Sequence, residues 1–199
     1  TERGIPFARI GSNAPGPGIA LTMGDEGAAH LATTHLAALG HRRIAMIAGP
    51  AQYSLSGWRI DGWKRAMREL GLPSEGLLEA GDFGYESGTR AARALLDRNP
   101  DCTAIIASSD QMALAALEVA RERGLDVPGD LSLISFDNTP IVRFTQPPLT
   151  AIDQPIAETV SRAVEQLIAR GPAGPDDEVI EVAAGLVERL STAPAPGSV

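Results

Sequence analysis

Short, mostly apolar runs recur along the chain at residues 44–48 (IAMIA), 104–107 (AIIA) and 131–135 (LSLIS), with a weaker one near residues 77–80. Strands buried on both faces read as such runs rather than as strict alternation, so the pattern predicts a parallel sheet covered by helices. Longer stretches of helical periodicity lie around them, at residues 26–39, 59–70, 86–97, 110–123 and 156–170. Gly40, Gly71, Gly124 and Gly171 each follow one of these stretches, where a left-handed residue closes a last helical turn. Asp25 and Asp110 stand at helix starts, where a carboxylate can accept orphan N–H groups. Strand–helix–strand at this spacing is a βαβ series and predicts an α/β fold with a doubly wound parallel sheet. The opening is different: residues 5–10 are a short apolar piece in a loop-like segment, without a full first βαβ unit. The expectation is a doubly wound domain that lacks its beginning. Residues 14–18 (APGPG) and 171–175 (GPAGP) read as turns or crossing segments, and the tail 192–199 is expected to fray.

Composition narrows the class. The 199 residues are 44% hydrophobic and 21% charged, enough apolar chain for a real core. There is no run of about 18 apolar residues, so no spanning helix and no membrane role is expected. The start, TERGIPFARI, has no apolar region of a secretory signal. Cys102 is the one cysteine, which excludes an internal disulfide and reads as a small buried hydrophobe. The formal net charge is −8, and Arg42-Arg43 is the nearest thing to a basic cluster. A groove that neutralises phosphates needs more than that, so these residues form a poor nucleic-acid surface.

Catalytic signatures are missing. The chain has no phosphate-cradling GxxxxGK[ST] loop and no GxGxxG after a strand. Gly84-Tyr85-Glu86-Ser87-Gly88 places its serine one position away from a nucleophile elbow and reads as a helix N-terminus. His30 and His35 are five apart, so they do not share a helix face, and no metal or cofactor is expected. What remains sits where open α/β sheets bind ligands, beyond the carboxyl ends of the strands. The run 44–48 leads through Gly49-Pro50 and a polar loop to Arg59; 104–107 leads to Ser108-Ser109-Asp110; 131–135 leads to Phe136-Asp137-Asn138; the weak strand leads to Asp82-Phe83. A guanidinium, an aromatic face and a carboxylate together suit a small polar molecule such as a sugar. Each residue also has a plainer role available. Arg59 could pair with Asp61, Phe83 could pack in the core, Asp137-Asn138 could form a turn, and Asp110 could be a helix cap.

Six segments in order resemble the LacI/GalR family of transcription regulators: GHRRIAMIAGP (40–50), RIDGW (59–63), GDFGYESG (81–88), SSDQMALAAL (108–117), GLDVPGDLSLISFDN (124–138) and PPLTAIDQP (147–155). The resemblance implies the two-lobed, type I periplasmic-binding-protein-like core of such a regulator, with an incomplete N-terminal lobe. Residues 1–24 and 156–175 would belong to that lobe, and 25–153 with 178–191 to the C-terminal lobe. Crossings near Gly24, Gln154 and 171–175 would act as the hinge. By the same resemblance Arg59, Phe83 and Asp137 contact the effector, joined by Ser109, Tyr53 from the loop 52–56, and Gln154. Ser109 stands where many members have Asn. The implied function is allosteric control of operator DNA by a sugar, with a purine as second choice, in a cytoplasmic homodimer. DNA would be bound only through a helix-turn-helix head that these residues do not include. An exported sugar-binding protein of a transport system is the alternative, and an enzyme on the same sheet a more distant one.

Overall fold

The computed structural model describes residues 6–13, 16–170 and 179–197. Two sheets organise them. The smaller has the order β1–β2–β8, all parallel, from Ala8–Ile10, Ile19–Thr22 and Val179–Glu181. The larger contains β3 (Ile44–Ala48), β4 (Leu78–Ala80), β5 (Ala104–Ala107), β6 (Ser132–Asp137), β7 (Thr150–Asp153) and β9 (Gly185–Val187). Its order is β4–β3–β5–β6–β7–β9, parallel except for β9, which runs against β7. The predicted parallel α/β architecture is therefore present.

Four helices wrap the larger sheet. They are α1 (Asp25–Ala38), α2 (Ser54–Glu69), α3 (Tyr85–Arg98) and α4 (Asp110–Glu122). Helix α1 packs on α2, and α3 on α4. Right-handed crossovers place these pairs on opposite faces. From β3 the chain moves outward to β4, then returns past β3 to β5, so the winding reverses between β3 and β5. The core between the layers is aliphatic and small-residue rich, with Ile44, Ile47, Ile105, Ile106 and Trp63 fully buried. Helix α5 (Ile156–Arg170) packs instead on β1 and β2, and turns Ile156, Val160, Val164 and Ile168 outward. No helix among the described residues is long and apolar enough to cross a membrane.

Several expectations need correction. The segment 178–191 does not belong to one sheet, because β8 hydrogen-bonds β2 in the smaller sheet while only β9 joins β7. A third crossing between the sheets is thus at residues 182–184, between β8 and β9, while the expected crossing at 171–175 lies outside the described residues. The chain also passes between the sheets at 23–24 and 154–155. Gly40, Gly71 and Gly124 do take positive φ after their helices, whereas Gly171 and 171–175 lie outside the described residues. Helix α2 begins at Ser54, five residues ahead of the predicted start, entered through turns in which Tyr53 N–H donates to Pro50 O and Ser56 N–H to Tyr53 O. Asp25 and Asp110 cap no helix with their side chains: the N-cap positions are Gly24 and Ser109.

The tail does not fray over its described length. Ser191 is fully buried, and its hydroxyl donates to Leu133 O at 2.6 Å and accepts from Thr150 N–H at 2.8 Å. Ala195 N–H donates to Leu39 O at 2.8 Å. His41, also fully buried, sits beside this tail at the amino ends of the strands, with Nε2 2.9 Å from Ser132 Oγ and 3.1 Å from Ala193 O. Burial pushes its imidazole below the ordinary 6.5, so the folded protein favours the neutral ring. That contribution is complete above pH 6.5 and is lost as pH falls through the lowered value. The melting temperature is expected to drop between pH 7 and pH 5 by more in the wild type than in a His41→Gln variant, measured by calorimetry.

Candidate functional site

The carboxyl ends of β3 and β5 flank the reversal of winding, which is where a crevice forms in an open α/β sheet. Arg59, in the second turn of α2, reaches this point. Its side chain is almost fully buried, at 4% exposure. Nη1 donates to Ser108 O and Nε to Asp25 Oδ1, each at 2.7 Å, and the guanidinium lies 4.3 Å from the centre of the Phe136 ring. The plainer partner Asp61 is not the one used. Asp25, the first residue of α1, holds the guanidinium instead, and sequence reasoning missed it. The contact spans 34 positions and no local spacing signals it.

Asp137 ends β6, beside the Phe136 ring under Arg59. Its Oδ1 accepts from Gln154 Nε2 at 3.1 Å, and its Oδ2 lies 3.4 Å from Asp110 N–H. Burial pushes its carboxyl above the ordinary 3.8; Arg59 pulls it back, and Asp110 and Asp25 push it further up. Asp110 is itself 4% exposed. Its Oδ2 accepts from Thr139 N–H at 2.7 Å and Thr139 Oγ1–H at 2.6 Å. Its Oδ1 is buried with no hydrogen-bond partner among the described residues. Asp110 thus fastens the β6 exit turn and is no cap.

Phe83 follows β4 and is packed rim rather than core. A Cβ added at Gly49 would come within 2.1 Å of the Phe83 ring, so only glycine lets that ring lie across the end of β3. Tyr53 is 51% exposed and meets Phe83 with ring centroids 6.1 Å apart at 40°. Ser109 is committed to the fold: its hydroxyl donates to Phe83 O at 2.8 Å and accepts from Met112 N–H at 3.1 Å, capping α4. Ser109→Ala is expected to lose about 1 kcal/mol of stability, as for loss of an N-cap, read from a urea unfolding midpoint.

The six residues singled out in the sequence therefore lie at the carboxyl end of the larger sheet, with Tyr53, Phe83 and Ser109 in one contact chain, Asp137 and Gln154 in another, and Arg59 joined to the strand ends through Ser108 and Phe136. Among the described residues, Phe83, Asp137 and Asn138 are the non-glycine positions with positive φ, at 69°, 92° and 56°, and all three lie here. Asn tolerates that region; a bulky Phe does so only when its surroundings hold it, and such strain gathers at functional sites.

Comparison with known proteins identifies the family. Residues 33–192 match the family described as periplasmic binding protein-like domain. A regulatory protein of the LacI family from Chloroflexus aggregans superposes with a TM-score of 0.86 at 33% identity, over 96% of this chain and 70% of that one. The chain belongs to the LacI family. This LacI-family chain is also 38% identical to the HTH-type transcriptional regulator MalR of Streptomyces coelicolor, over 98% of its own length and 58% of the relative's. It matches the transcriptional regulator CelR in its cellobiose complex at 34% identity and a TM-score of 0.86, over 96% of this chain and 60% of that one. The relatives are named as regulators, not as enzymes or transport components. The chain spans only about three fifths of the length of MalR.

Proposed function

We propose that this LacI-family chain is the effector-sensing part of a transcription regulator, and that the effector is a small sugar held between two lobes built on the two sheets. The observation that supports the reading is that Arg59 bonds Ser108 O and lies over Phe136 at the winding reversal, while Phe83 and Asp137, at the ends of strands of the same sheet, are held in positive φ. An aromatic ring offers a face to the C–H side of a sugar, and the carboxylate accepts from vicinal hydroxyls. Tyr53 adds a second ring at the rim, and Gln154 a donor and acceptor at a crossing. Arg59 supports the floor, since Nε and Nη1 already serve Asp25 and Ser108. Ser109 acts through Phe83 rather than by touching the effector. The sugar reading is supported by the cellobiose complex of CelR, a protein similar to this chain.

In this proposal the regulator is cytoplasmic and dimeric, contacts operator DNA through a helix-turn-helix outside these residues, and changes its DNA affinity when sugar favours the closed pair of lobes. The sugar shifts that balance only by its differential affinity for the two states. The test is calorimetric titration of the full-length regulator with glucose, ribose, maltose, cellobiose, adenine and guanine, repeated with Phe83→Leu. A sugar that binds the wild type and binds the variant more weakly supports the reading. Binding of a purine alone, or equal binding to both proteins, overturns it.

A further inference from the structure

Two charged groups on the crevice floor, Arg59 and Asp137, are tied to places where the chain passes between the sheets. Arg59 holds Asp25, the first residue beyond the crossing at 23–24. Asp137 holds Gln154, the first residue of the crossing at 154–155. Its neighbour Asn138 does more. Asn138 Nδ2 donates to Asp153 Oδ1 at 2.8 Å, at the root of that same crossing, and Asn138 Oδ1 accepts from Arg189 Nη2 at 2.6 Å. Arg189 follows β9, the strand that leads out of the third crossing, and its Nη1 is anchored on Leu149 O at 2.6 Å. The first and third crossings also touch, since Val182 N–H donates to Thr22 O at 2.9 Å.

We propose that Asn138 is a positioning residue that joins the Asp137 turn to the roots of the second and third crossings, so that occupancy of Asp137 is passed on as a change in the angle between the lobes. The inference rests on the sugar-sensing reading. The turn cannot move by itself: Asp110 clamps Thr139 on one side, and Asn138 grips Asp153 and Arg189 on the other. A hydroxyl that bonds Asp137 Oδ1 shares that oxygen with Gln154 Nε2 and so links the ligand to the crossing, while Asn138 keeps the roots in register with the turn. Packed elements of this kind have discrete arrangements, which is how a small local displacement becomes a rigid-body one.

Asn138→Gly keeps the positive φ and deletes both side-chain contacts without touching the effector groups. Asp153→Ala, at an exposed position, removes the second-crossing half alone. Both are made in the full-length regulator. Maltose affinity is measured by calorimetry, or that of the sugar binding tightest in the panel above, and closure by the sugar-induced fall in radius of gyration in small-angle scattering. The expected result is contraction abolished in Asn138→Gly and reduced in Asp153→Ala at saturating sugar, with binding kept in both and weakened only by the factor through which the sugar favours the closed pair. A merely structural residue would abolish binding as well as contraction. Full contraction in Asn138→Gly, or sugar binding abolished in both variants, overturns the inference. If the wild type binds no sugar of the panel, the functional reading fails and the inference with it. A wild type that binds beside variants that contract normally sinks the inference alone.

Discussion

Arg59→Ala is expected to destabilise the fold by about 3–5 kcal/mol, the range for removing one partner of a buried ion pair. The truncation strands Asp25, whose side chain is 5% exposed and would keep a charge with no counter-ion. It also frees the Ser108 carbonyl and uncovers the Phe136 ring. Any fall in effector affinity in that variant therefore mixes a lost contact with a loosened site. The pair Asp25→Leu with Arg59→Met separates the two. Replacing both members by apolar side chains of similar volume removes the stranded charge, so the double variant should be more stable than Arg59→Ala alone while still failing to bind sugar. The check is a denaturant-unfolding cycle alongside calorimetric titration. A double variant at least as unstable as Arg59→Ala would show that the ion pair is not what makes the single substitution costly.

The same residue shows what sequence could and could not convey. The strands β3, β5 and β6 were legible because both their faces are buried, which leaves an unbroken apolar run. Strand β7 was not, because Thr150 and Asp153 interrupt its pattern. Thr150 is fully buried, and its hydroxyl oxygen accepts from Arg189 N–H at 3.0 Å, a long-range contact that makes a polar core position affordable. Strand β2 is only four residues long and follows a Pro/Gly-rich stretch, so its burial depends on neighbours that periodicity does not reveal. At the site, Arg59, Phe83 and Asp137 were visible because strand ends are where an α/β sheet presents side chains. Asp25, Thr139 and Arg189 were not, because each earns its place through a partner at least 29 positions away. The family resemblance implies a ligand contact for Ser109, yet its hydroxyl already donates to Phe83 O and accepts from Met112 N–H. A residue type alone does not say which of its hydrogen bonds the fold has already used.

Asp137→Asn should move stability and binding in opposite directions. Burial raises the folded carboxyl's pKa above its unfolded value, so its contribution to stability is fully present below pH 3.8 and is lost as pH rises through the folded value. At neutral pH the ionised group is held at a cost, and the isosteric amide relieves it while tolerating the positive φ of 92°. The variant is expected to melt above the wild type at pH 7, with the gap closing as pH falls below 4. Effector affinity should fall by about ten- to a hundredfold, since a hydrogen bond to a charged acceptor contributes about 1.5–3 kcal/mol. Calorimetry at the two pH values with a sugar titration at pH 7 measures both effects. A variant that binds as tightly as the wild type would remove Asp137 from the effector contacts. One that melts lower at pH 7 would mean that attraction to Arg59 outweighs desolvation. The expected combination, a gain in stability at the expense of binding, is the mark of a group kept for what it recognises.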